Sequence, residues 1–167
     1  MKSIQQINNN GGKMKNIVLT RIDDRLLHGQ VVVSWIPFLK TDEIIIADDE
    51  YAADEFMAHL ISESAPENID VHVLSVNDTA KYLNGEDNNK RIMLLSRNIE
   101  NIEKLIELNA PVKKVNLGGL GFADGRKKYL NAIHMSEEEL GILKHIAASG
   151  TIVEIQMLPS DKAVIVE

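Results

Sequence analysis

The sequence predicts an α/β domain: a single doubly wound, mainly parallel sheet with helices on both faces. Short apolar runs alternate with helix-length segments along most of the chain, the pattern of right-handed β–α–β units. With 167 residues, 44% of them hydrophobic, the chain can bury one sizeable core but not two comfortable ones. It contains no cysteine, so no disulfide framework, thiolate chemistry or cysteine-based zinc site enters the reading.

Residues 1–13 carry the run Asn8-Asn9-Asn10-Gly11-Gly12 and no apolar core, so they read as a disordered leader rather than a secretion signal. Residues 14–167 read as the folded domain. Strands are expected at Asn16–Thr20, where Ile17, Val18 and Leu19 form a buried run, and at Glu43–Ala47, Val71–Ser75, Arg91–Leu95, Lys114–Leu117 and Thr151–Met157. Tyr129–Ile133 is a further short candidate. Helices are expected at Gly29–Leu39, Ala53–Ser64, Asp78–Leu83, Ile99–Leu108 and Glu137–Ser149. Ser136 with Glu139 forms a capping-box pattern and Gly150 is placed to end that last helix. Asn84 to Asn89 is a polar turn, and Ile102, Leu105, Ile106 and Leu108 make one apolar stripe for packing on the sheet.

Charge and hydropathy narrow the function. The formal net charge of −7 disfavours nucleic acid or an anionic membrane as the main partner. The longest strongly apolar stretch, Val31 to Leu39, is interrupted by Ser34 and Pro37 and falls far short of the roughly 20 residues a membrane span needs.

The most informative segment is Arg21-Ile22-Asp23-Asp24-Arg25-Leu26-Leu27-His28-Gly29-Gln30-Val31. It places His28 where the first strand turns into the first helix. Free amides at Gly29 to Val31 and the helix dipole favour an anion there by about 0.3–1 kcal/mol, and Arg25 adds a planar fork suited to phosphate oxygens. Arg21, Asp23 and Arg25 alternate, so an extended segment turns all three to one side, with Asp23 able to orient Arg25 or fix the imidazole tautomer. Gly29 removes a side chain where a tetrahedral group would approach the backbone.

Other candidates fall beyond the carboxyl ends of the strands, where open parallel sheets bind ligands. Asp48 and Asp49 follow strand two and read chiefly as a turn and helix N-cap. Ser96 and Arg97 follow strand four. Gly118, Gly119 and Gly121 follow strand five without opening a helix, which makes a poor dinucleotide fingerprint and a better tight turn against the His28 loop. His59, His72, His134 and His145 show no metal-ligand spacing and read as structural or surface residues. Trp35, the single tryptophan, reads as a core residue with an edge near the site.

The Arg-Ile-Asp-Asp-Arg-Leu-Leu-His-Gly-Gln run closely resembles the active-site loop of the IIB components of the mannose, fructose and sorbose family of the bacterial sugar phosphotransferase system. The resemblance extends from Met14 to near the C-terminus, through Ile44–Asp49, Met93–Asn98 and Asn116-Leu117-Gly118-Gly119-Leu120. It implies a doubly wound sheet with one antiparallel edge strand. It also implies that His28 is the phosphoacceptor, with Arg25 and Asp23 as its catalytic helpers and Arg21, Asp24, Gly29 and Gln30 in the same substrate-binding loop. The activity implied is that of a protein-Nπ-phosphohistidine–sugar phosphotransferase. His28 would take a phosphoryl group from a IIA phosphodonor protein and pass it to a sugar, the final acceptor, entering through membrane IIC and IID components. Such a chain would be cytoplasmic and peripherally attached to the transporter complex, with no cofactor and no metal, and with a homodimer left open. The chain departs from the family pattern at Ser96-Arg97-Asn98-Ile99, where Phe-Thr-Asn-Pro is frequent, and at Ala123, where a basic residue is frequent. These departures bear on sugar and partner choice.

The residues alone leave rivals. A neutral imidazole, with an unperturbed pKa of about 6.5, suits reversible phosphoryl relay. A histidine phosphatase also phosphorylates a histidine, but its signature places arginine directly before it, where Leu27 stands. A non-enzymatic phosphate- or nucleotide-binding module would use the strand-to-helix turn as an anion nest.

Overall fold

A computed structural model describes residues 12–167, so the expected leader lies outside the described residues over 1–11. Lys13, counted above with the leader, pairs with Asp87 at 3.1 Å, and Met14 bridges antiparallel to Glu86. Six parallel strands form the sheet: β1 (Asn16–Asp23), β2 (Glu43–Ala47), β3 (Asp70–Leu74), β4 (Arg91–Ser96), β5 (Lys114–Gly119) and β8 (Ile152–Ile155). The antiparallel strand β9 (Val164–Ile165) closes one edge, giving the order β3-β2-β4-β1-β5-β8-β9. Strands β6 (Lys127–Leu130) and β7 (Ile133–Met135) make a separate hairpin. The single predicted strand at Tyr129–Ile133 is therefore two, divided where Asn131 adopts φ +48°.

The first helix runs from Gly29 to Leu39, with a π-helical turn at Val31–Trp35 leading into α1 (Ile36–Leu39). In that turn the Ile36 N–H reaches back five residues to the Val31 carbonyl, directly before Pro37, which has no N–H to donate to Val33. The predicted helix at Ala53–Ser64 is α3 (Glu55–Ser62), capped by Asp54, and a short helix not predicted from the sequence, α2 (Asp49–Ala52), precedes it with Asp48 as its N-cap. Helices α4 (Val76–Leu83), α5 (Ile99–Glu107) and α6 (Glu137–Ala148) follow, α6 with the expected capping box.

Alternating residues sort the core into two layers. Ile44, Ile46, Met93, Leu95 and Leu19 face the first helix and its neighbours, through Val31, Trp35 and Ile36. Ile45, Ile92, Leu94, Ile22 and Leu117 face α4, α5 and α6, through Ala80, Ile102 and Leu143. Buried on both faces, β4 reads as a continuous apolar run, as parallel strands do. The connection leaving β1 passes to one face and the path leaving β5 reaches α6 on the other. A crevice therefore opens between their carboxyl ends.

Candidate active site

Strand β1 continues three residues beyond the predicted end at Thr20 and is buried from Leu19 to Asp23. Ile22 faces one core layer, so Arg21 and Asp23 project together on the opposite face. Arg21, expected in the substrate-binding loop, is 0% exposed and lies behind Asp23 rather than on the open side of the loop. Its Nη1 donates to Asn116 Oδ1 at 2.7 Å and to the Gln156 carbonyl at 3.0 Å. Its Nη2 donates to Asp23 Oδ2 and to the Met157 carbonyl, each at 3.1 Å. The guanidinium lies 5.3 Å from the Trp35 ring, whose indole N–H also donates to Met157 at 2.9 Å. Gly118 is required beside it, since a Cβ there would sit 1.8 Å from Arg21 Cζ.

After Asp23 the chain reverses, with the Leu26 N–H donating to the Asp23 carbonyl at 2.9 Å. Leu26 is buried in the left-handed region at φ +53°, a conformation that costs a non-glycine residue about 1–3 kcal/mol. Asp24 offsets this by fastening the turn to the glycine segment at the carboxyl end of β5. Its N–H donates to the Gly119 carbonyl at 3.0 Å and its Oδ2 accepts the Gly121 N–H at 2.6 Å. Asp24 thus holds the loop, and the glycine segment is extended rather than the tight turn expected of it: Gly118 and Gly119 end β5 and Leu120 bridges to Ile133. Arg126 secures the same residue through its carbonyl: it donates to the Gly121 oxygen at 3.1 Å and pairs with Glu139.

Asp23 is the hub of the loop and is 0% exposed. Its Oδ1 accepts the Arg25 backbone N–H at 3.1 Å and Arg25 Nε at 3.0 Å. Its Oδ2 receives Arg25 Nη2 and lies 3.0 Å from His28 Nε2, beside the Arg21 donor. Burial alone pushes this carboxyl up, but the Arg25 hydrogen bonds, the Arg21 charge and the His28 contact together hold it below the usual carboxylate range. An ionised carboxylate accepts and cannot donate, so His28 Nε2 carries the proton in the neutral ring and Nδ1 keeps a lone pair. Burial lowers Arg21 and its carboxylate partner offsets part of that, whereas the Asp23 hydrogen bonds raise Arg25.

The groups open to a visitor are fewer. The Arg25 side chain is 44% exposed and the His28 side chain 16%. Gln30 Oε1 accepts a long contact of 3.4 Å from Arg25 Nη2. A Cβ at Gly29 would meet nothing within 4 Å, so the space beside His28 is open. The first helical bond runs from the Val32 N–H to the His28 carbonyl at 3.0 Å, and the amides of Gly29 to Val31 precede it. This arrangement can hold a tetrahedral anion against the imidazole with one guanidinium and the helix start.

Asp48 caps α2 and is buried, and Arg97 donates to it at 2.6 and 3.0 Å and to Glu50 at 2.9 Å. Arg97 also stacks 3.9 Å from Tyr51, so its charge is satisfied locally and it serves as a brace rather than an anion ligand. Asp49 accepts the Val76 N–H and Ser96 bonds the Asn98 carbonyl. His72 pairs with Glu43 and His145 with Glu103, while the His134 ring packs edge-on against Phe122. Among the described residues no group of three metal-ligating side chains is present, and no helix is long and apolar enough to cross a membrane. Asn116, Gln156 and Arg126 escaped the sequence reading. Asn116 carried one signal, its place in the Asn-x-Gly-Gly element.

Comparison with known proteins gives the family and the fold. Residues 17–167 match the PTS system sorbose subfamily IIB component family. The PTS system fructose-specific EIIB component of Bacillus subtilis (strain 168) is 36% identical over 149 residues, covering 89% of this chain and 91% of that protein. The PTS system mannose-specific EIIAB component of Escherichia coli (strain K12) is 34% identical over 146 residues, which are 87% of this chain and 45% of that longer protein. The crystal structure of manxB from Thermoanaerobacter tengcongensis superposes with a TM-score of 0.83 at 31% identity, covering 92% of this chain and 93% of that one. The IIBSor domain of the sorbose permease from Klebsiella pneumoniae superposes with a TM-score of 0.81 at 25% identity, covering 89% and 92% of the two chains. The chain therefore belongs to the sorbose-subfamily IIB components of the sugar phosphotransferase system.

Proposed function

We propose that His28 is a phosphoryl carrier that takes PO₃ from a phosphohistidine on a IIA partner and hands it to a sugar held by membrane IIC and IID components. The observation that carries this reading is the 3.0 Å contact between His28 Nε2 and an ionised, buried Asp23. It leaves Nδ1 as the nucleophile. In the first transfer the Nδ1 lone pair attacks phosphorus, the donor N–P bond breaks, and its electrons return to the donor ring. The acceptor ring keeps its Nε2 proton and becomes cationic, a charge that the Asp23 carboxylate stabilises. Arg25 and the amides from Gly29 to Val31 neutralise the equatorial oxygens, the main requirement of phosphoryl transfer. In the second transfer a sugar hydroxyl oxygen attacks phosphorus, its proton passes to a base of the membrane component that holds the sugar, and the N–P electrons return to Nδ1, which leaves the ring neutral with its proton on Nε2. Asp24, Gly29 and Gln30 shape the loop around this path, and Arg21 positions Asp23. The carrier works on the cytoplasmic side, docked to the transporter.

The fused EIIAB relative supports a IIA partner, since its name pairs the two components in one chain. The test is incubation with a phosphorylated IIA component followed by mass spectrometry under alkaline conditions. An acid-labile, base-stable adduct on His28, absent from His28→Ala, is the expected result. An adduct on another residue, or transfer that survives His28→Ala, would count against the assignment. A simple anion-binding module would lose modest affinity in His28→Ala and form no adduct in the wild type.

A further inference from the structure

Behind the exposed loop lies a buried polar relay that runs from His28 through Asp23 and Arg21 to Asn116. Asn116 sits directly across from Arg21 in the β1–β5 ladder, and its Oδ1 receives the shortest of the Arg21 hydrogen bonds, 2.7 Å. Both residues are 0% exposed. Asn116 Nδ2 has no partner, so its amide contributes to this site as an acceptor alone. The other face of the guanidinium meets Trp35, its edges are met by the carbonyls of Gln156 and Met157, and Gly118 leaves it room. Every contact fixes the plane of Arg21, and that plane aims Nη2 at Asp23 Oδ2, the same oxygen that faces His28 Nε2.

We propose that Asn116 is a positioning residue for phosphoryl transfer: by fixing Arg21 from behind, it holds Asp23 Oδ2 where it keeps the proton on His28 Nε2. The inference rests on the carrier role proposed for His28. Asn116 touches no reacting atom, and its influence passes through two side chains. A purely structural asparagine in a strand would change stability and leave the imidazole tautomer alone. A positioning residue changes both the tautomer and the rate.

The experiment uses the full chain with ¹⁵N-labelled histidine at pH 8. NMR reads which His28 ring nitrogen bears the proton, His28→Ala supplies the assignment, and phosphoramidate serves as a small phosphoryl donor. With that donor the P–N bond to ammonia breaks as the P–Nδ1 bond forms. In the wild type Nε2 is protonated and phosphorylation occurs on His28. In Asn116→Leu the proton spreads over both nitrogens and the phosphorylation rate falls by about ten- to hundredfold, the size of one lost hydrogen bond to a charged group. Asn116→Asp keeps an oxygen on Arg21 Nη1 and restores the rate to within about threefold. Gly118→Ala is a second route to the same defect, because its Cβ would displace the guanidinium. Folding of each variant is checked by circular dichroism. If a folded Asn116→Leu or Gly118→Ala keeps the wild-type tautomer and rate, or if Asn116→Asp is as slow as Asn116→Leu, the positioning role is overturned while the carrier role stands. If the wild type itself takes no phosphate on His28, both fall.

Discussion

Asp23→Asn removes one charge and changes almost no volume, yet the geometry gives it two large consequences. The carboxamide has one acceptor oxygen where the carboxylate has two, and either orientation sets its NH₂ against donors. Placed at Oδ1 it meets the backbone N–H and Nε of Arg25; placed at Oδ2 it meets Arg21, Arg25 and His28. The first consequence is instability, because Arg21 is then fully buried without a counter-charge. Breaking such a pair costs about 3–5 kcal/mol, and about 2–4 °C of Tm accompanies each kcal/mol in a domain of this size, so Tm falls by roughly 6–20 °C. The second is chemical: an amide turned toward His28 donates to Nε2, which moves the ring proton to Nδ1 and removes the nucleophilic lone pair. The same substitution in a serine hydrolase triad lowers the rate on the order of 10⁴-fold for this reason. Differential scanning calorimetry reads the first effect, and transfer of labelled phosphate from a phosphorylated IIA component, measured well below Tm, reads the second. A variant with wild-type Tm and a rate within about threefold of wild type would refute the placement of Asp23 at the centre of the loop.

Three further outcomes follow from the same contacts. Arg25→Lys keeps the charge but loses the fork, so transfer slows by about ten- to hundredfold with little change in Tm, as rapid-quench kinetics would show; unchanged kinetics would remove Arg25 from the phosphoryl path. Asp24→Ala frees the Gly121 N–H, so hydrogen exchange there speeds up and phosphorylation slows, whereas retained protection at Gly121 would mean that another group holds the loop. Glu139 is pushed up by burial, but Arg126 outweighs this and holds it below its ordinary value of 4.5. Its stabilising effect is therefore complete above that value and is lost as pH falls through the lower folded-state pKa. Urea titrations should show wild type more stable than Glu139→Gln at pH 7, with the gap closing in more acidic solution; a gap independent of pH would contradict the pairing.

Much of the fold was legible because apolar runs and caps report local physics. The β–α alternation, the helix from Gly29 and the Ser136 capping box all come from patterns within a few residues. The end of β1 was not legible. Hydropathy stops at Thr20, while the strand goes on through Arg21 and Asp23, two charged residues that stay buried because they neutralise each other. The split at Asn131 and the π-helical turn before Pro37 depend on single backbone conformations that leave little trace in composition. The antiparallel β9 is two exposed residues long, and family resemblance rather than pattern pointed to it. At the candidate site the loop residues were visible as a cluster, whereas three of the four acceptors of Arg21, on Asn116, Gln156 and Met157, come from 95 or more positions away. The sequence shows the charge of Arg21 but not its burial.

The central claim is that Asp23 leaves His28 Nδ1 free to carry the phosphoryl group. The most direct measurement is ³¹P and ¹⁵N NMR of the phosphorylated chain with labelled histidine, held at alkaline pH. The account predicts phosphorus bonded to Nδ1 of His28, seen as coupling to that nitrogen, with Nε2 facing Asp23. Phosphorus on Nε2, or on a histidine other than His28, would contradict it.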